Sequence, residues 1–202
     1  MTIWRDPQPL ILASKSAARQ TLLHNAGIAV EIIPADIDER AIELVSGLSA
    51  PGEVAAFLAR EKAISVSSRH SNRFVAGADQ ILALGDRRFS KPAGRMEAVE
   101  QLRALAGRTH ELHSAVVVAR DGEPLFSDVA IARMTMRSLD DAAISAYLDA
   151  AGTAVTTSVG AYQLEGPGVH LFERIDGDHF TVLGLPLLPL LKFLRGRQLL
   201  TM

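Results

Sequence analysis

The chain has no cysteine among its 202 residues. That absence excludes disulfides, thiolate metal centres and cysteine nucleophiles, and it fits a reducing compartment. Strong charge of either sign is missing too: the net charge is −2, so no bulk attraction to nucleic acid or an anionic membrane is expected. Any phosphate ligand must be held by a local cluster of cations. The beginning, MTIWRDPQPLIL, lacks the apolar core of a signal peptide. No run reaches transmembrane length; the most apolar stretch, LGLPLLPLLKFL, is broken by two prolines and Lys192 and reads as a packed helix. The cytoplasm is the expected location. The P-loop, the dinucleotide glycine signature, the HExxH metal motif and the GxSxG elbow are all absent. Nor do the six histidines make a metal-binding spacing. His110 and His113, three apart in a strand-like run, would face opposite sides and read as structural.

What is present is an ordinary globular composition, 48% hydrophobic and 22% charged, and an alternation of strand-like and helix-like runs. Leu10–Leu12 ends in Ser14, Lys15, Ser16 and Arg19, and an amphipathic segment then runs to the Asn25-Ala26-Gly27 breaker. That is a strand, a tight turn and a helix, with hydroxyls and cations gathered at the helix start. Such a turn suits an anion, because the first backbone N–H groups of a helix are unpaired and partly positive; equally, Ser14 or Ser16 is a helix cap. Further along, Ala29–Ile33 reads as a strand, PADIDER as an acidic loop and Pro51–Ser68 as a helix. A short strand, Phe74–Ala78, ends in Asp79 and is continued by Ile81–Leu84. Met96–Leu105 is helical, and two long strands near 110–119 and 124–137 are joined by the hairpin pair Asp121-Gly122. Ser138, Asp140 and Asp141 start a helix to Ala151, Val169–Glu173 reads as a strand, and a helix follows Pro186. With no repeat and no linker, the pattern predicts an α/β protein with a mixed sheet: one domain, residues 1–202, with two lobes around a cleft.

Chemistry-bearing residues stand out against this frame. Asp79 emerges from a buried strand with small residues beside it, where α/β sheets place ligands, although an aspartate there also opens turns. Asp36, Asp38 and Glu39 offer oxygens for Mg²⁺ or form a solvated loop. Arg19 shares a helical stripe with Leu22, Leu23 and Ala26. Lys62 shares one with Ala55, Leu58, Ala59 and Val66. Each is a cation on an inward face, to bind an anion or to snorkel at the stripe's edge. Lys91-Pro92 follows the Asp79 hairpin.

Taken in order, the segments LILASKSAARQTLL, PADIDE, LAREKA, GADQILAL, SKP, LAGRTHEL, GAYQLEGPG, LFERIDGD and VLGLPL resemble the Maf family of nucleotide pyrophosphatases. The resemblance implies an elongated, two-lobed Maf/ITPase-like α/β fold with a central cleft. It further implies a homodimer, a divalent cation (Mg or Mn), and hydrolysis of a nucleoside triphosphate to monophosphate and pyrophosphate. Asp79 matches the family's catalytic acidic residue, to ligate the metal or to accept the proton of water, with Glu39 as a second metal ligand. Ser14, Arg19, Lys62 and Lys91 match residues of the phosphate site. Two departures remove cations: the family's S-P-R-R is here Ser16-Ala17-Ala18-Arg19, and its D-K-A-G is Thr157-Ser158-Val159-Gly160. Gln80 and Glu165 match the branch resembling 7-methyl-GTP pyrophosphatases, although that branch usually carries Trp where Ala18 stands. A carboxylate at 165, in a glycine-rich loop, offers two acceptors to the adjacent N–H donors of a guanine-type base, and Gln80 joins it as a substrate residue. The alternatives are a dTTP/UTP pyrophosphatase and a nucleotide-binding cell-division regulator with weak turnover.

Overall fold

A computed structural model describes residues 3–202. The expected α/β class with a mixed sheet is what it shows, carried by seven strands and seven α-helices among the described residues. Hydrogen-bonded strands run in the order β2-β1-β3-β5-β6-β7, with β4 paired to β3. The chain divides into two compact units. The first runs to Gln80 and takes in His113–Ala130 and His179–Met202; the second is Ile81–Leu112 with Ile131–Asp178. The strands β3 (Val75–Leu84), β5 (Thr109–Arg120) and β6 (Glu123–Met136) pass along the chain from one unit to the other.

In the first unit, β1 (Leu10–Leu12) pairs in parallel with β2 (Val30–Ile32) and with β3, in the registers Leu10↔Val30 and Ile11↔Val75. A strand with parallel neighbours is covered on both faces, which is why β1 is an unbroken apolar run. One face, with Leu10, Leu12, Ala76 and Ala78, packs on Leu22 and Leu23 of α1 (Ala17–Asn25) and on Leu187, Leu190 and Leu194 of α7 (Leu187–Gly196). The opposite face, with Ile11, Ala13 and Val75, meets Val66 of α3 (Pro51–Ser67). Gly77 is the closest point of that second contact. A β-carbon there would run into the Ala59 carbonyl of α3, so only glycine lets the helix lie this near the strand.

The acidic segment departs from expectation. It is not a plain loop: Asp38 accepts from Ala41 N at 3.1 Å and caps a helix, α2 (Glu39–Ser46), which Gly47 ends with a left-handed backbone. No residue of α2 is buried, although Ala41, Leu44 and Val45 recur at helical spacing; Leu44 and Val45 are exposed. The first-turn cap of α1 is Ser16, whose Oγ accepts from Arg19 N at 3.4 Å.

The second unit holds β4 (Arg87–Phe89), α4 (Arg95–Leu105), α5 (Asp141–Ala151) and β7 (Phe172–Asp176), which is antiparallel to β6. The strand expected at 169–173 starts later. Pro167 opens a 3₁₀ turn over Pro167–Leu171, and Gly168 lies so close to the Gln163 backbone that the chain is held in that turn. His110, buried in β5, bonds the Tyr162 hydroxyl at 2.7 Å beside Phe172. Burial lowers its pKa from 6.5 to about 4, so it is neutral at physiological pH.

Candidate active site

β1 stops at Leu12 whereas β3 continues to Leu84. The last backbone rung between them is Ala13 N to Ala76 O, at 2.8 Å. Two residues on, the Ala78 carbonyl has no strand beside it, and the Arg19 guanidinium takes the vacant place, with Nη1 donating at 2.9 Å. The same Nη1 donates to Ser14 Oγ at 3.1 Å, and Nε donates to the Gly184 carbonyl at 2.7 Å. Three of the five N–H donors of Arg19 are therefore held by the protein itself, which leaves those on Nη2. Ser14 Oγ also accepts from Ser16 N at 3.3 Å. With both lone pairs occupied, the Ser14 hydroxyl has only its hydrogen to offer a ligand.

Asp79 lies in the middle of β3, not at its end; the strand end that exposes it belongs to β1. Strand alternation turns Asp79, like Gly77, toward α3. There Lys62 Nζ donates to Asp79 Oδ1 at 2.6 Å and pairs with Glu39 Oε1 at 3.0 Å. The Lys62 and Asp79 side chains are 9% and 11% exposed and that of Glu39 50%, so one ammonium bridges an inner and an outer carboxylate. Burial pushes the Asp79 carboxyl up, against the opposing pull of Lys62 and Arg19; Glu39 adds to the rise. Burial likewise lowers Arg19, and Asp79 and Glu39 counter it. Gln80 points to the other face, where its Nε2 contacts Ser114 Oγ at 2.9 Å and the carbonyls of Thr181 and Val182, each at 3.1 Å.

Ser14, Arg19, Glu39, Lys62, Asp79 and Gln80, separated by up to 66 positions in sequence, are thus brought together in the first unit. Lys91 and Glu165 belong to the second: Lys91 is exposed after β4, and Glu165 is exposed in the turn preceding Gly166. Sequence reasoning missed Gly77, Ser114, Thr181 and Gly184. The close approach of α3 gives Gly77 a local signal, since it is the one glycine in a run of small buried residues. The other three act through neighbours far along the chain and carry no local signal.

A family model described as Maf-like protein matches residues 9–197. The chain belongs to the Maf family. A "Nucleoside triphosphate pyrophosphatase" of Rhodopseudomonas palustris (strain ATCC BAA-98 / CGA009) is 67% identical over 99% of both chains. A "7-methyl-GTP pyrophosphatase" of Brucella abortus biovar 1 (strain 9-941) is 53% identical over 94% of this chain and 96% of its own. Among solved structures, a HAM1 protein from Coxiella burnetii is 16% identical, with a TM-score of 0.43 over 63% of this chain and 72% of its own. In this Maf protein Ser14, Arg19, Glu39, Lys62 and Asp79 stand in the first unit, and Lys91 in the second.

Proposed function

We propose that this protein hydrolyses nucleoside triphosphates between the α and β phosphates, releasing a monophosphate and pyrophosphate. The observation that carries the reading is the buried Lys62 bridging Glu39 and Asp79, next to Arg19, at the open end of β1. The names of the 67% and 53% identical relatives support it.

The residues divide the work. Asp79 is the catalytic carboxylate, placed to take the proton of the attacking water or to hold the metal. The Nη2 donors of Arg19, the Ser14 hydroxyl and the first-turn N–H groups of α1 face the phosphates, and Lys62 adds its charge. Glu39 and Asp79 would hold a divalent cation, Mg or Mn, and Lys62 stands between them where it can turn to phosphate. No group of three or more acidic or histidine ligands stands together among the described residues. Glu39 and Asp79 nevertheless fit a hard cation, which needs only one or two carboxylates from the protein when a phosphate substrate is bound. When bound, the cation neutralises charge on the phosphate oxygens.

Lys91, for phosphate, and Glu165, for the base, complete the substrate residues by their family motifs. Gln80 and Glu165 together favour a guanine-type, 7-methyl-GTP-like substrate over dTTP or UTP. The whole chain, residues 1–202, is read as one Maf domain working as a cytoplasmic homodimer. No helix among the described residues is long and apolar enough to cross a membrane.

A panel of nucleoside triphosphates with Mg²⁺ or Mn²⁺, scored for pyrophosphate and orthophosphate, tests the proposal. Pyrophosphate release abolished by excess chelator is the expected result. Initial release of γ-orthophosphate, or full activity in chelator, overturns it.

A further inference from the structure

We propose that Ser114 is a positioning residue: it locks the Gln80 side chain so that the amide oxygen, not the nitrogen, is presented on the Arg19 side of the site. The inference rests on the reading above only in taking Gln80 to face substrate.

The bonding leaves a single orientation. Ser114, in β5, is completely buried, and its Oγ donates to the Thr181 carbonyl at 2.8 Å. Its only hydrogen is thereby committed, so toward Gln80 it can only accept. The other neighbours of that end of the amide, the carbonyls of Thr181 and Val182, can also only accept. Turning the amide over would set an oxygen against three oxygens and leave buried acceptors unpaired, which costs more than the bonds it breaks. The NH₂ group therefore stays at Ser114.

The oxygen is sent to the opposite end, beside Gly184. A β-carbon built on Gly184 would stand 3.5 Å from Gln80 Oε1 and 3.4 Å from Arg19 Nη2. Gly184 has a φ of +89°, which favours glycine, so no side chain separates the two groups. The same turn thus holds both residues: its Thr181 and Val182 carbonyls hold Gln80, and its Gly184 carbonyl holds Arg19. The consequence is chemical. At this point the site offers an acceptor next to a guanidinium, and it selects a nucleotide that places an N–H or O–H donor there.

Two measurements decide the matter. In ¹⁵N-labelled protein, the Gln80 side-chain amide pair is identified by its loss in Gln80→Leu. We expect it to exchange slowly with solvent in the wild type and about tenfold faster in Ser114→Ala. A wild-type pair exchanging as fast as a free glutamine side chain overturns the proposal and needs no variant to fold. Second, kcat/KM is measured for ATP, GTP, CTP and UTP. Ser114→Ala should change the ratio between best and worst substrate by about fivefold, the worth of one hydrogen bond, toward the ranking of Gln80→Leu. A uniform fall on all four substrates with the ranking kept would mean that Ser114 is merely structural. If the wild type releases pyrophosphate from no triphosphate, the proposed function fails, while the exchange rates still decide the role of Ser114.

Discussion

Replacing Gly77 by alanine separates the packing of the fold from the chemistry of the site in one experiment. The new β-carbon would lie 2.7 Å from Ala63 N and 2.9 Å from Ala63 Cβ, besides meeting the Ala59 carbonyl. Relaxed contacts between carbons are ~3.5–4.0 Å, so α3 must retreat from β3 by roughly 1 Å. Overpacking of this kind costs about 1–3 kcal/mol, and in a protein of this size each of those kilocalories lowers Tm by about 2–4 °C. The retreat also carries Lys62 away from Asp79, across a hydrogen bond now 2.6 Å long. A displacement of about 1 Å at reacting groups costs on the order of 100-fold in rate. Thermal unfolding gives the first quantity. Pyrophosphate release, assayed well below the variant's Tm, gives the second. Gly196→Ala is the control, because that position lies in α7 with no atom near it and a helical residue there suits alanine, so neither quantity should fall. A Gly77→Ala protein that loses stability but keeps wild-type kcat would refute the link between helix approach and catalysis; one that keeps both would refute the packing argument as well.

Other outcomes follow from the same geometry. Asp79→Asn keeps the size of the side chain but removes its charge, and should lower turnover about 100-fold or more in a protein with native circular dichroism. Lys62→Met leaves two carboxylates facing each other with one of them buried; chemical denaturation should show a loss on the order of 3 kcal/mol, and the acid limb of kcat/KM should move to higher pH because Lys62 now holds Asp79 down. His110 has a folded pKa of about 4 against an ordinary 6.5, so the unfolded chain binds its proton more readily. The stability this gives is complete above pH 6.5 and is lost as the pH falls toward 4. Urea titrations should find the protein about 2 kcal/mol less stable at pH 5 than at pH 7 from this group, and His110→Phe should remove that dependence. Glu165→Gln should reduce any preference for guanine-type over pyrimidine triphosphates, and an unchanged ranking across the substrate panel would remove Glu165 from base recognition.

Much of the first unit is legible in the order of its residues, because its information is local. Arg19 and Lys62 interrupt apolar stripes at helical spacing, and both are buried where those stripes point. The small residues before Asp79 mark it as a ligand position, although the approach of α3 at Gly77 is not read from them. What stays hidden has non-local causes. Helix α2 is the exception: its cap at Asp38, its apolar residues Ala41, Leu44 and Val45 at helical spacing and its glycine stop at Gly47 are local signals that the acidic-loop reading passes over. The start of β7 is delayed by a contact between Gly168 and the Gln163 backbone, which no periodicity reports. Ser114 and Gly184 lie 34 and 165 positions from the side chains they hold.

Those separations bear on how the protein is made. The first unit is assembled from three stretches of chain, and its last stretch begins at His179. During synthesis, β1, α1, α3 and the Lys62–Asp79 pair can gather early. Arg19 and Gln80 must wait for the carbonyls of residues 181–184, after the whole second unit has left the ribosome. Until residues 181–184 are made, Arg19 Nε and the Gln80 amide are left to water, and long-range closures of this kind are slow steps in folding. The guanidinium that finishes the edge of β3 is made 165 residues before the glycine whose carbonyl completes its bonding.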